Sequence, residues 1–182
     1  MILKNSNNIR VFFCLAFILL TLSSFRVPNK IQILKKVKKE ISKTFSIDSF
    51  LLEPIKIEND SDLTVDFSKN RFLKIISNDF LIGYAYIGNA PSKTETFEYL
   101  VLFNNDFIIK KSKVLIYRED WGSEIGSNRW LKQFIDKSLN DKFIYRENIS
   151  AISGATISVK SMTNALNQLL SSLNILIKKK IL

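Results

Sequence analysis

The chain has 182 residues, with 27 lysines and arginines against 17 aspartates and glutamates, one cysteine and no histidine. Without imidazole there is no histidine general base, no Ser-His-Asp or Cys-His pair, no His-ligated haem and none of the common catalytic zinc sets; a single thiol also excludes an intrachain disulfide, a CxxC motif and a cysteine-held iron–sulfur cluster. The 46% hydrophobic share supports a real core, and the net charge of +10 points to acidic partners, whether lipid headgroups, nucleic acid or a phosphorylated cofactor.

Val11 to Phe25 is an uncharged apolar run behind Lys4 and Arg10. That order matches the basic and apolar regions of an export signal or a short membrane anchor, so residues 1–27 are read as a signal or anchor segment. The run is short for a comfortable span, which takes about 20 apolar residues. Cys14 inside it reads as a small buried hydrophobe. The downstream flank, Arg26, Lys30, Lys35, Lys36, Lys38 and Lys39, outweighs the upstream pair, and the positive-inside rule then predicts a cytoplasmic body. The signal-like order argues for the opposite side.

Residues 28–46 read as a basic amphipathic helix. Ile31, Leu34, Val37, Ile41 and Phe45 recur at three and four residues with lysines on the other face. Such a helix lies on anionic lipid or packs its apolar face on the following domain, and the two are compatible. Strand-like runs follow at 49–57, 72–76, 80–87, 96–103 and 107–118, rich in Ile, Phe, Leu, Tyr and Val and separated by Asn, Asp, Ser and Gly. Leu102 to Phe107 carries a hairpin signal, because Asn and Asp tolerate the positive φ of a tight turn. Gly83 and Gly88 mark a bulge or a close backbone approach. Short neighbouring strands imply an antiparallel sheet.

After Arg118 comes a loop bracketed by Gly122 and Gly126, then a short helix from Arg129 to Ile135 with one apolar face. Residues 140–152 read as irregular or short strand. A long closing helix, capped by Thr156 or Ser158, carries the stripe Val159, Met162, Leu166, Leu169, Leu173 and Leu176 and ends in three lysines. The fold class is α+β, an antiparallel sheet with flanking helices preceded by an N-terminal hydrophobic anchor or signal helix. No alternation of aromatic and basic residues suggests a nucleic-acid surface.

Ser153-Gly154-Ala155-Thr156-Ile157-Ser158 is a hydroxyl-rich turn just before the closing helix. Exposed N–H groups and the dipole at a helix N-terminus favour an anion, naturally a phosphate, and an ordinary cap without a ligand explains the same residues. The spacing is not that of a P-loop.

This turn, with the element from Val114 through Glu119, Gly122 and Gly126 to Trp130 and Phe134, resembles the FMN-binding domain of the C subunit of sodium-translocating NADH:quinone reductase and the G subunit of the Rnf electron-transport complex. The family motif is Asp-x-x-Ser/Thr-Gly-Ala-Thr, a further hydroxyl residue and a helix. The resemblance covers roughly residues 80 to 170 and implies that residues 47–182 bind FMN. It further implies that a flavin transferase joins the FMN phosphate to Thr156, with Ser153, Gly154 and Ala155 giving backbone approach and Ser158 a further hydroxyl. Glu119, Gly122 and Gly126 would line the ribityl chain or ring. Trp121 is a candidate stacking neighbour by its place in the loop, against the alternative of a partly exposed core aromatic. Ser150 stands where the family has an acidic residue, which leaves covalent and tight non-covalent FMN both open. The implied protein is an extracytoplasmic, membrane-associated electron carrier, more than an enzyme with its own substrate, exchanging electrons with a membrane redox partner. A different class of reading is a cofactor-free, basic, membrane-tethered interaction module, in which the turn is only a helix cap.

Overall fold

Among the described residues the elements are, in chain order, α1 (Lys30–Phe45), β1 (Leu51–Pro54), β2 (Phe72–Ser77), β3 (Phe80–Pro91), β4 (Thr96–Asn104), β5 (Ile109–Ile116), α2 (Asn128–Leu131) and α3 (Thr156–Lys178). The computed structural model describes residues 30–58, 61–67 and 71–182. The apolar segment at 1–27 lies outside the described residues, as does any signal or anchor helix within it. Among the described residues no helix is long and apolar enough to cross a membrane.

The five strands form one antiparallel sheet in the order β1-β2-β3-β4-β5, each strand pairing with the next. From β2 to β5 this arrangement follows from short connections, since only adjacent antiparallel strands can be joined by tight turns; β1 reaches β2 through the longer stretch 55–71. Asn78 and Asp79 take φ of 50° and 64° between β2 and β3, the left-handed pair that a two-residue hairpin demands. Between β4 and β5 the expectation that Asn or Asp supplies the positive φ is corrected. Phe107 takes it, at 56°, while Asn104 Oδ1 accepts from the N–H groups of Asp106 and Ile108. Stacking of the Phe107 ring on Tyr84, 4.5 Å between centroids, holds this costly conformation.

Period-two alternation gives the sheet two buried faces. Phe72, Tyr84, Tyr86, Phe97, Tyr99, Val101 and Phe103 join the main core with Val159, Met162, Leu166, Leu169, Leu173 and Leu176 of α3. All six stripe residues are buried, and each contributes about 2 kcal/mol of apolar burial. On the opposite face Leu73, Ile75, Ala85, Leu100 and Leu102 are buried together with Val37 and Ile41 of α1, and Lys36 Nζ donates to the Leu115 carbonyl at 2.8 Å. The packed alternative thus holds for α1 from Lys36 onward, within the compact unit Lys36–Leu182. Both Gly83 and Gly88 mark close approach: a Cβ would lie 2.0 Å from the Phe103 carbonyl oxygen and 2.4 Å from the Tyr99 ring, respectively.

The helix expected over 129–135 is broken. A 3-10 turn, Ser123–Gly126, leads into α2, and a second 3-10 turn, Lys132–Phe134, follows it. Trp130 and Phe134 still reach the core, 5.2 Å apart and edge to face. The C-terminal lysines are not merely solvated, since Lys179 Nζ lies 2.7 Å from Asp62 Oδ2.

Candidate functional site

The expectation that Thr156 or Ser158 caps α3 is corrected. The N-cap is Ala155, at φ −124° and ψ 24°, and it makes no side-chain cap hydrogen bond. A methyl group cannot accept, so the first-turn N–H groups of this 23-residue helix point outward with the positive end of its dipole. Thr156 is exposed there, whereas Ser158 is 2% exposed. Gly154 supplies the turn before the helix with φ +76°, and nothing stands within 4 Å of where its Cβ would be, so the backbone is bare on that side.

Two elements close on this helix end. Tyr117, just beyond β5, donates its hydroxyl to the Trp121 carbonyl (3.2 Å) and shares a hydrogen bond with Ser158 Oγ (3.1 Å). With Trp121 O able only to accept, Ser158 donates to Tyr117. Gly122, at φ +79°, packs directly on Ala155. The backbone of the loop is therefore pinned to the helix start, while the Trp121 side chain is 81% exposed. Trp121 is not a core aromatic.

Glu119 does something the linear pattern did not show. Its carboxylate accepts from Ser92 Oγ (2.6 Å), Thr94 N (2.7 Å), Thr94 Oγ1 (2.9 Å) and Glu95 N (3.2 Å), all in the turn between β3 and β4. Ser161 of α3 donates to the Pro91 carbonyl at the start of the same turn. The hydrogen bonds from Ser92 and Thr94 hold the Glu119 carboxyl down at about 2, against an ordinary value of 4.5. A depressed folded value means that this carboxylate stabilises the protein fully above about pH 4.5 and loses that contribution as pH falls toward about 2. Urea midpoints of wild type and Glu119→Gln are accordingly expected to differ by a constant amount above pH 5 and to converge below pH 4.5. A difference independent of pH would refute the assignment.

These elements bound a cleft of about 370 Å³ whose walls include Glu119, Trp121, Gly154, Ala155, Thr156 and Ser158, together with Lys93, Tyr117 and Ile157. Five of the eight expected site residues, Glu119, Gly154, Ala155, Thr156 and Ser158, thus meet in one place. Gly122 does not line the cleft but packs on Ala155, which does. Ser153 lines a neighbouring groove with Arg129 and Trp130, and Gly126 ends the 3-10 turn, with Val114 Cβ the nearest group to its missing side chain at 3.8 Å. Lys93, Tyr117 and Ile157 were not anticipated. Tyr117, two residues before Glu119, and Ile157, between Thr156 and Ser158, have local signals in the sequence; Lys93 has none.

Ser150 sits at the start of the motif on the other side of the turn. Its N–H donates to Gln133 Oε1 (2.7 Å), and its carbonyl accepts from Trp130 Nε1 (2.8 Å). The path of the chain here is set through the backbone, independently of the side chain at position 150. Among the described residues no cluster of His, Cys, Asp and Glu is disposed to hold a metal ion.

The cleft suits a phosphorylated aromatic cofactor: an uncapped helix end and a bare glycine turn for the phosphate, and an exposed indole at the rim for a ring. Residues 93–171 match the family model of the FMN-binding domain. None of the curated proteins compared with the chain matches it. These residues, from the turn before β4 through most of α3, form an FMN-binding domain, and FMN is its cofactor.

Proposed function

From the FMN-binding domain at 93–171 as premise, we propose that the chain is a membrane-associated electron carrier whose FMN is joined through its phosphate to Thr156. Bound FMN supplies reversible electron chemistry that a chain with one cysteine and no histidine does not offer from its own side chains. The observation that carries the reading is the open end of α3: an exposed threonine hydroxyl beside first-turn N–H groups that no side chain caps.

In the attachment, Thr156 Oγ forms a bond to the flavin-side phosphorus of FAD. The P–O–P link breaks, AMP leaves, and the hydroxyl proton passes to a base of the flavin transferase. The helix N-terminus offsets the negative charge of the resulting phosphodiester. The absent carboxylate at Ser150 leaves this geometry intact, because Trp130 and Gln133 hold residue 150 by its backbone. Trp121 offers one face to the isoalloxazine, and the pinned loop keeps it in place. The remaining charge on the carrier, +10 overall, favours an anionic lipid surface, and the run Val11 to Phe25 supports attachment there with the domain on the extracytoplasmic side, facing a membrane redox partner.

The test is made on spheroplasts of a host that contains an exported flavin transferase. A flavin-fluorescent band of the chain is expected on a denaturing gel, bleached by dithionite in the native state, and removed by protease added outside. A colourless polypeptide would sink covalent attachment, and a protected fluorescent band would place the domain in the cytoplasm.

A further inference from the structure

We propose that Lys93 recognises the flavin phosphate and that Glu119 is the positioning residue that holds it there; this rests on the FMN reading of the cleft. Lys93 lines the same cleft as Thr156, yet it comes from the turn between β3 and β4, more than sixty positions away in the chain. Its neighbours on both sides, Ser92 and Thr94, are bonded to the Glu119 carboxylate, and Ser161 of α3 ties Pro91 to the helix. Lys93 itself is exposed and makes no ion pair among the described residues.

The charges around the cleft explain why a lysine is needed. Glu119 also belongs to its wall, and an unscreened carboxylate would repel a phosphate. Its oxygens are occupied by four donors of the turn, so the carboxylate serves the turn and not the ligand. That leaves two positive features toward the cleft, the outward N–H groups of α3 and the Lys93 ammonium. The helix end gives direction to a phosphate; the lysine gives it charge. A rigid turn matters because a flexible lysine loses rotamer freedom on binding, and fixing its backbone lowers that cost.

The probes are FMN and riboflavin, which differ only by the phosphate. The full chain, in detergent and from a host lacking flavin transferase, is titrated with each by flavin fluorescence. Lys93→Gln is expected to weaken FMN about tenfold, the scale of one charge-assisted hydrogen bond, and to leave riboflavin within twofold. Its FMN affinity should also respond less to salt. Glu119→Gln is expected to weaken FMN by a smaller factor, again sparing riboflavin, which a general loosening of the fold would not do. The double variant should bind FMN no more weakly than Lys93→Gln alone, because Glu119 acts through Lys93. Equal losses for both flavins, additive losses in the double variant, or unchanged FMN affinity in Lys93→Gln would each overturn the assignment. Wild-type protein that binds neither flavin would instead remove the FMN reading on which it rests.

Discussion

Thr156→Ala is expected to give a folded protein whose denatured polypeptide carries no flavin at all. Position 156 opens α3 with its side chain exposed. Alanine is the best helix former, so the cost to stability is within about 0.5 kcal/mol and the melting temperature should barely move. The exposed hydroxyl and γ-methyl are lost, and of the two only the hydroxyl can accept a phosphoryl group. Reversible FMN binding by the variant should survive within a few-fold, since the first-turn N–H groups, the Gly154 turn and Lys93 all remain. Thr156→Ser should restore covalent flavin in part, as a primary hydroxyl at the same position. The structure also identifies what a negative result would mean. Ser158 is 2% exposed and bonded to Tyr117, so it cannot stand in as nucleophile. Ser153 is exposed, in the adjoining groove with Arg129. Fluorescence retained in Thr156→Ala and lost in Ser153→Ala would move the attachment to Ser153.

Much of this architecture was legible in the chain because it depends on local period. The stripe from Val159 to Leu176 has no strand-like alternative, and all of it is buried. The five strand runs were recoverable to within a few residues, since antiparallel neighbours with short turns leave little topological freedom. What resisted reading was set by distance or by backbone angles. Thr156 and Ser158 both have cap-forming side chains, but the chain leaves the αL residue Gly154 and caps the helix at Ala155, so that both already lie inside the first turn. The hydrogen bonds of Glu119 are not legible in the sequence, because its partners, Ser92 to Glu95, lie 24 to 27 residues away in the chain. Lys93 was invisible for the same reason. The segment after Gly126 has helical spacing, yet α2 stops at Leu131 and passes into the 3-10 turn Lys132–Phe134, with Trp130 buried in the core and its Nε1 donating to the Ser150 carbonyl.

Gly122→Ala is expected to lower the melting temperature by roughly 5–20 °C and to weaken FMN binding, and Gly154→Ala to do much less, although both glycines have φ near +80°. An alanine at either place bears the left-handed cost of roughly 1–2 kcal/mol. At Gly154 that is the whole effect, because nothing lies within 4 Å of the added methyl. At Gly122 the methyl would sit 2.5 Å from Ala155 Cβ and 3.1 Å from Ala155 Cα, with the Tyr117 hydroxyl at 3.3 Å. Relieving that overlap costs about 1–3 kcal/mol more and has only two routes. Either the loop lifts, and Trp121 leaves the rim as its carbonyl loses Tyr117, or Ala155 shifts and the start of α3 turns away from the cleft. The two sources of loss separate in a cycle. Ala155→Gly in the Gly122→Ala background transfers the methyl from one side of the contact to the other, so the double variant should recover the overlap cost and retain the left-handed one. Its stability should therefore exceed the sum of the single losses, with FMN affinity recovering in parallel. Strictly additive losses would mean that Gly122 and Ala155 do not press on each other, and that the loop and the helix start are not the single unit that positions the flavin.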